Sequence, residues 1–299
     1  MPAVWIFPSV ITVRGGAVRG RALRRDPDRG GFTFVRNTRS IVFTPELPLA
    51  DVRLEVCGRV VQTRADEEGF FQAVLDGEVA PLPLGRHPAT AYIGQDPEPA
   101  GVGLVQVVPE RGLSVVSDFD DTIAVSHIGR KFRMLWTALF RDETQHAAVE
   151  GMAKLYAQLA PFAAAFHYVS GTPVGLLRRT ERFLERHGFP QGALLLRHFE
   201  TDGLNMAKYK PRVLSDIARA LPGHRFLFVG DSGEKDPEFF AHLREELGAD
   251  RVAGVLVRRV TSELRDAARF SGMFLFDDPE EAAQELSRLG VTSAAHARL

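Results

Sequence analysis

The sequence has a single cysteine, Cys57, among 299 residues. That excludes an intramolecular disulfide and a cysteine-rich zinc site, and it suits a reducing compartment. Cys57 follows Leu54-Glu55-Val56, a strand-like context, and reads as a small buried hydrophobe. An excess of one charge is also missing. The formal net charge is -1, so no global field favours nucleic acid as a partner. No apolar run approaches the roughly 20 residues of a membrane span. The first residues, Met1-Pro2-Ala3-Val4-Trp5-Ile6-Phe7-Pro8, carry neither a charged leader nor a long apolar segment, so no signal peptide is expected. The expectation is a cytoplasmic protein, with peripheral contact to a membrane left open. Lysine is scarce as well. It occurs at 131, 154, 208, 210 and 235, and the other basic residues are arginine. A lysine kept in an arginine-rich chain marks a place needing a compact point charge rather than a planar fork.

Hydrophobic residues at 45% and charged residues at 25% are ordinary globular values, and the length suits one large domain or two. Residues 1–110 read as an all-β domain, a β-sandwich. Val10–Val13, Phe32–Val35, Ser40–Phe43 and Val52–Val56 are strand-like runs separated by Gly, Pro and Asp. Val60–Thr63 and Phe70–Leu75 flank Asp66-Glu67-Glu68-Gly69, which suggests a hairpin. The arginines at 14, 19, 21, 24 and 25 could face an anionic surface, but acids are equally common in this region, so a solvated strand face is the preferred reading. Gln95–Gly101 has linker composition and is expected near a domain boundary.

From residue 111 to 299 the rhythm changes. Apolar runs at 113–117, 165–170, 193–197, 225–230, 252–257 and 273–276 alternate with helix-period segments near 151–160, 173–187, 211–220, 236–247, 261–269 and 279–289. Such alternation predicts an α/β fold, a Rossmann-like parallel sheet with helices on both faces. Ligands in these sheets bind beyond the carboxyl ends of the strands. There the sequence places chemistry. The first run ends in Asp118-Phe119-Asp120-Asp121-Thr122, the second in Ser170-Gly171-Thr172-Pro173, and the fourth in Gly230-Asp231-Ser232-Gly233-Glu234-Lys235-Asp236.

These groups make a kit for phosphoryl transfer. Asp118 can act as nucleophile, and Asp120 can protonate the leaving oxygen and then deprotonate water. Mg²⁺ is the expected cofactor, with oxygen ligands from Asp118, Asp231 and the main-chain carbonyl of Asp120. Asp236 either joins the metal through water or caps the helix after it. The Ser170 hydroxyl and Gly171 amide can bind phosphoryl oxygens. A lysine can hold their charge. Lys210 is preferred because it is expected to open the helix at Pro211, and Lys208 stays in reserve. Thr122 can bond within the loop and orient the acids. Glu234 and Lys235 can pair at the rim or stay solvated.

Asp118-Phe119-Asp120-Asp121-Thr122 is similar to the DxDxT signature of the haloacid dehalogenase superfamily. Ser170, Lys210 and Asp231 stand where its later motifs would fall. Ser117–Ile123, His167-Tyr168-Val169-Ser170, Gly188-Phe189-Pro190 with Leu196-Arg197, and Gly230–Glu238 resemble the actin-patch-associated phosphatidate phosphatase family. Members of that family often carry Ser-Asn-Ser-Pro where this chain has Ser-Gly-Thr-Pro. The resemblance implies a haloacid dehalogenase-like domain and Mg²⁺-dependent hydrolysis of phosphatidate to diacylglycerol and phosphate. A soluble phosphomonoester, such as a nucleotide or sugar phosphate, is the alternative substrate. A non-catalytic phosphate-sensing module is a remote second class. The stretch near 126–148 is too short for a large cap and reads as a small helical one. Its Ile128, Phe132, Leu135, Trp136, Leu139 and Phe140 recur at helical spacing among basic residues. That face can pack on the protein or rest on an anionic membrane.

Overall fold

The structure is a computed structural model. It describes residues 1–26, 46–76, 80–125, 147–198, 206–262, 265 and 267–293. The chain divides into two compact units, Met1–Glu110 and Arg111–Leu299.

The first unit is all-β. Its strands are β1 (Ala3–Ile6), β2 (Ser9–Thr12), β3 (Gly15–Leu23), β4 (Asp51–Val56), β5 (Arg59–Arg64), β6 (Phe70–Asp76), β7 (Gly85–Ile93) and β8 (Gly101–Val108). They form one hydrogen-bonded sheet in the order β1-β3-β2-β8-β7-β4-β5, with β6 also paired to β3. The ladders do not themselves separate two sheets. Residues from both ends of the path, Val4 and Ile6 with Val52, Leu54 and Val56, share one core, as two-residue alternation requires.

Several expectations change here. The 60–75 hairpin is not formed, because β5 pairs with β4 and β6 with β3. The reason lies at Cys57-Gly58. Both have positive φ, 53° and 70°, which makes the tight two-residue turn that joins β4 to β5. Cys57 is therefore a half-buried turn residue rather than a core one. Gln95–Ala100 connects β7 to β8, Gly101 opens β8, and the unit ends later, at Glu110. Arg21 is not solvated. It is buried over the Phe70 ring and ion-paired to Glu46 at 3.1 Å. The runs Phe32–Val35 and Ser40–Phe43 lie outside the described residues.

The second unit holds a six-stranded parallel sheet made of β9 (Gly112–Asp118), β10 (Ala165–Pro173), β11 (Ala193–Arg197), β12 (His224–Asp231), β13 (Val252–Arg258) and β14 (Phe274–Phe276). The strand order is β11-β10-β9-β12-β13-β14. Counting from β9, this is the 3-2-1-4-5-6 order of doubly wound sheets, and its switch point falls between β9 and β12. Successive residues of β9, β10 and β12 are buried on both faces, so they are near-continuous apolar runs.

The helices are α1 (Met152–Leu159), α2 (Leu177–Arg186), α3 (Met206–Ala220), α4 (Asp236–Leu247) and α5 (Pro279–Arg288). Helix α3 begins at Met206, earlier than expected, and contains Pro211 inside it. No α-helix spans 261–269 among the described residues, where a 3₁₀ turn covers Ala268–Phe270. The small cap falls mostly on residues 126–146, outside the described residues. Its two roots are joined, since Val125 N–H donates to the Ala147 carbonyl and Val149 N–H to that of Ile123.

Helix α4 is fixed to β12 by aromatic packing. The Phe228 and Phe240 rings stack with centroids 5.2 Å apart, and both are buried. Replacing Phe240→Ala should cost about 3–5 kcal/mol by denaturant unfolding, and Phe240→Leu much less. A loss below about 1 kcal/mol would mean that α4 is held by something else.

Candidate active site

Strand β9 carries Asp118 to the carboxyl edge of the sheet, and the chain turns at once. Asp121 takes φ 53°, a left-handed conformation that Asp tolerates better than most residues. Arg258, at the end of β13, donates from Nη1 to the Asp121 carbonyl at 2.7 Å and pins this turn. Behind the turn, Ser117 Oγ donates to the Asp118 carbonyl at 2.6 Å. It also lies 2.6 Å from the buried Tyr156 hydroxyl of α1. The Thr122 hydroxyl donates to Asp118 Oδ2 at 3.4 Å.

Asp118 and Asp120 face different partners. Ser170 Oγ, from β10, donates to Asp120 Oδ2 at 2.9 Å, and the Thr172 N–H donates to Ser170 Oγ at 3.0 Å. Asp118 Oδ1 instead lies 2.7 Å from Lys210 Nζ. The same ammonium donates to Asp236 Oδ1 at 2.8 Å and to Glu234 Oε2 at 2.9 Å. Lys210 is buried, whereas Lys208 is exposed, so the geometry favours Lys210 over its reserve. Its reach comes from a helix that starts earlier than expected, which puts Lys210 inside α3 and not at its mouth.

Asp231 ends β12, and its Oδ1 accepts from the Gly233 N–H at 2.6 Å. Ligand atoms of Asp118, Asp231 and Asp236 all lie within 4.8 Å of one another, and all three residues are buried. Asp231 Oδ2 and Asp236 Oδ2 have no hydrogen-bond partner among the described residues, and Asp118 Oδ1 has only its ion pair with Lys210. Orphaned carboxylate oxygens facing one another fit a hard divalent cation such as Mg²⁺, which takes oxygen ligands. Gly230 makes room for this. A Cβ there would meet Asp236 Oδ2 at 2.7 Å. The helix after Asp236 has Lys235 as its N-cap residue without a side-chain cap bond, and Asp236 bonds Lys210 instead of capping.

The electrostatics follow from crowding in a dry place. Burial, then the neighbouring Asp236, pushes the Asp118 carboxyl well above its ordinary range, with Lys210 opposing. Burial raises Asp120 to about 8 against the opposing Ser170 bond. Burial and Asp236 raise Asp231 to about 7. Asp236 is raised by burial, with Lys210 opposing. For Lys210 burial disfavours the ammonium, but Asp118, Asp236 and Glu234 outweigh it and hold the proton firmly.

A family profile described as phosphatidate phosphatase APP1, catalytic domain, matches residues 113–259. That segment belongs to the APP1 catalytic-domain family. Phosphatidate phosphatase APP1 of Saccharomyces cerevisiae is 25% identical over 161 residues, covering 52% of this chain and 27% of that protein. An uncharacterized protein of Schizosaccharomyces pombe is 25% identical over 164 residues, covering 53% of this chain and 27% of its own length. The chain thus spans about a quarter of the curated relatives it matches. A solved Mesorhizobium loti structure, named as a HAD-like phosphatase, aligns over 62% of this chain and 90% of its own. Its TM-score is 0.43 and its identity 14%, a likeness too loose to bear on the chemistry.

The matched segment contains every catalytic, binding or metal candidate named from the sequence: Asp118, Asp120, Thr122, Ser170, Gly171, Lys210, Asp231 and Asp236. The structure brings Asp118, Asp231, Asp236 and Lys210 together, and Ser170 to Asp120. The Asp120 carboxylate stands outside the three-acid cluster. Glu234 pairs with Lys210, not with Lys235. Sequence reasoning passed over three supports, namely Arg258 on the Asp121 carbonyl, Tyr156 behind Ser117, and Arg269. Arg269 donates to the Glu234 carbonyl at 2.7 Å. Only the strand-end position of Arg258 hinted at a role.

The raised carboxyls set a pH dependence for the metal-free protein. Asp120 and Asp231 keep their protons up to about 8 and about 7 when folded, whereas unfolded aspartate releases its proton at about 4. Their stabilisation is complete below the unfolded value and is lost as pH rises through the folded ones. With EDTA present, the Tm should fall between about pH 5 and about pH 8, and Mg²⁺ should remove most of that fall. A Tm that rises over this window, or ignores Mg²⁺, would contradict the assignment.

Proposed function

We propose that this chain is a Mg²⁺-dependent phosphatase of the haloacid dehalogenase type that works through an aspartyl-phosphate. The observation that carries this reading is the meeting of Asp118, Asp231 and Asp236 within 4.8 Å beside the Lys210 ammonium. The order of the parallel strands supports it, because a doubly wound sheet opens its ligand crevice between β9 and β12. Asp118, Asp231 and Asp236 would hold Mg²⁺, with the Asp120 carbonyl as a further ligand. When bound, the ion neutralises the phosphoryl charge so that a carboxylate can approach it.

The chain's own residues supply the rest. An Asp118 oxygen attacks phosphorus while the ester P–O bond breaks. Asp120 gives its proton to the departing oxygen, a role suited to a carboxyl protonated near neutrality. Asp120 then takes a proton from water, which attacks the phosphorus of the aspartyl-phosphate and frees inorganic phosphate and Asp118. Lys210, Ser170 and the Gly171 amide hold the phosphoryl oxygens, and Thr122 aligns Asp118.

The substrate we favour is phosphatidate, on the strength of the family's name. A soluble phosphomonoester is the second reading. Among the described residues no helix is long and apolar enough to cross a membrane, so a lipid substrate would be met at a bilayer surface. The test is phosphate release from phosphatidate, lysophosphatidate, nucleotides and sugar phosphates, with and without Mg²⁺. Release should need Mg²⁺, be greatest with phosphatidate, vanish in Asp118→Asn, and fall about 10²–10⁴-fold in Asp120→Asn. Unchanged release in Asp118→Asn would overturn the mechanism, and preference for a soluble ester would replace the substrate.

A further inference from the structure

Lys210 has three N–H donors, and three carboxylate oxygens surround its ammonium within 2.9 Å: Asp118 Oδ1, Asp236 Oδ1 and Glu234 Oε2. Two of those contacts are hydrogen bonds, to Asp236 and Glu234, and the third is the ion pair with Asp118. If Lys210 holds phosphate, as the proposed function has it, the phosphoryl oxygens must compete with these partners for the ammonium.

The three are not equally able to leave. The Asp118 and Asp236 side chains are 3% and 2% exposed, whereas that of Glu234 is 36% exposed. Withdrawing either aspartate would strand a charge in a dry site. Glu234 can turn into water through side-chain rotation alone. Its main chain stays where it is, because Arg269 Nη2 donates to the Glu234 carbonyl at 2.7 Å. Arg269 also ion-pairs with Glu238 at 2.8 Å, which ties the loop to the first turn of α4. A backbone pinned by Arg269, a carboxylate open to solvent and an ammonium ringed by acids together describe an exchangeable partner.

We propose that the Glu234 carboxylate stands in for the phosphoryl oxygens on Lys210, and is displaced when a phosphomonoester or inorganic phosphate binds. This rests on the phosphatase reading. It adds that the site competes with its own ligand. The carboxylate keeps Lys210 aligned between turnovers and loosens the hold on the product phosphate. The cost falls on ground-state affinity, so removing the Glu234 charge should tighten phosphate binding without raising kcat.

The experiment is calorimetric titration of inorganic phosphate, in Mg²⁺ buffer, into wild type, Glu234→Gln, Glu234→Ala and Glu238→Gln. Glu238→Gln removes an equal charge nearby from a residue that pairs with Arg269 rather than Lys210. Both Glu234 variants should bind phosphate about tenfold more tightly than wild type, with phosphate becoming a correspondingly stronger product inhibitor. Glu238→Gln should change binding by less than about twofold. Equal or weaker binding in the Glu234 variants, while wild type binds phosphate, would overturn the stand-in role and leave the phosphatase reading untouched. Equal tightening in Glu238→Gln would overturn it as a general charge effect. If no protein binds phosphate the proposal falls, and turnover of the ester panel then decides separately whether the phosphatase reading falls with it.

Discussion

Three carboxylates held within 4.8 Å of one another in a buried notch form the constraint on which the rest of this domain depends. Alone they would repel, and burial makes the repulsion worse by removing the solvent that screens it. The protein answers with one buried ammonium, Lys210, which touches two of the three. Burial first, and then the charge that one ammonium does not balance, drive the carboxyls toward holding protons. A dication would resolve the imbalance, and the orphaned oxygens of Asp231 and Asp236 fit that reading.

The fold exists to impose this crowding. Asp118 comes from β9, Asp231 from β12, Asp236 from the start of α4 and Lys210 from α3. Strands β9 and β12 are neighbours in register, with Val229 opposite Ser117, so the acids that follow them emerge side by side. Apolar burial on both faces fixes the strands, and the Phe228–Phe240 stack fixes α4. Arg258 and Arg269 then hold the two loops that carry the acids by the carbonyls of Asp121 and Glu234.

Much of this was legible in the chain. Apolar runs that end in acids report both a parallel strand and a site at its carboxyl end, which is why Asp118, Ser170 and Asp231 could be named in advance. Strand order was not legible, because alternation implies parallel strands without saying which are neighbours. The choice between Lys208 and Lys210 could not be closed either. Residues two apart on a helix point roughly 200° away from each other, and only the docking of α3 decides which faces inward. Glu234 escaped because its direction depends on a loop held by Arg269, 35 residues later. The β5–β6 hairpin failed for a similar reason. An acidic-glycine turn looked sufficient, but the Cys57-Gly58 turn had already committed β5 to β4.

The central claim is that Asp118, Asp231 and Asp236 stand together because they share a divalent cation. Calorimetric titration of Mg²⁺ into the metal-free protein measures this without reference to any substrate. The account predicts a single ion per chain, with binding abolished in Asp231→Asn while that variant stays folded. Absence of Mg²⁺ binding in the wild type, or binding that survives Asp231→Asn unchanged, would contradict it.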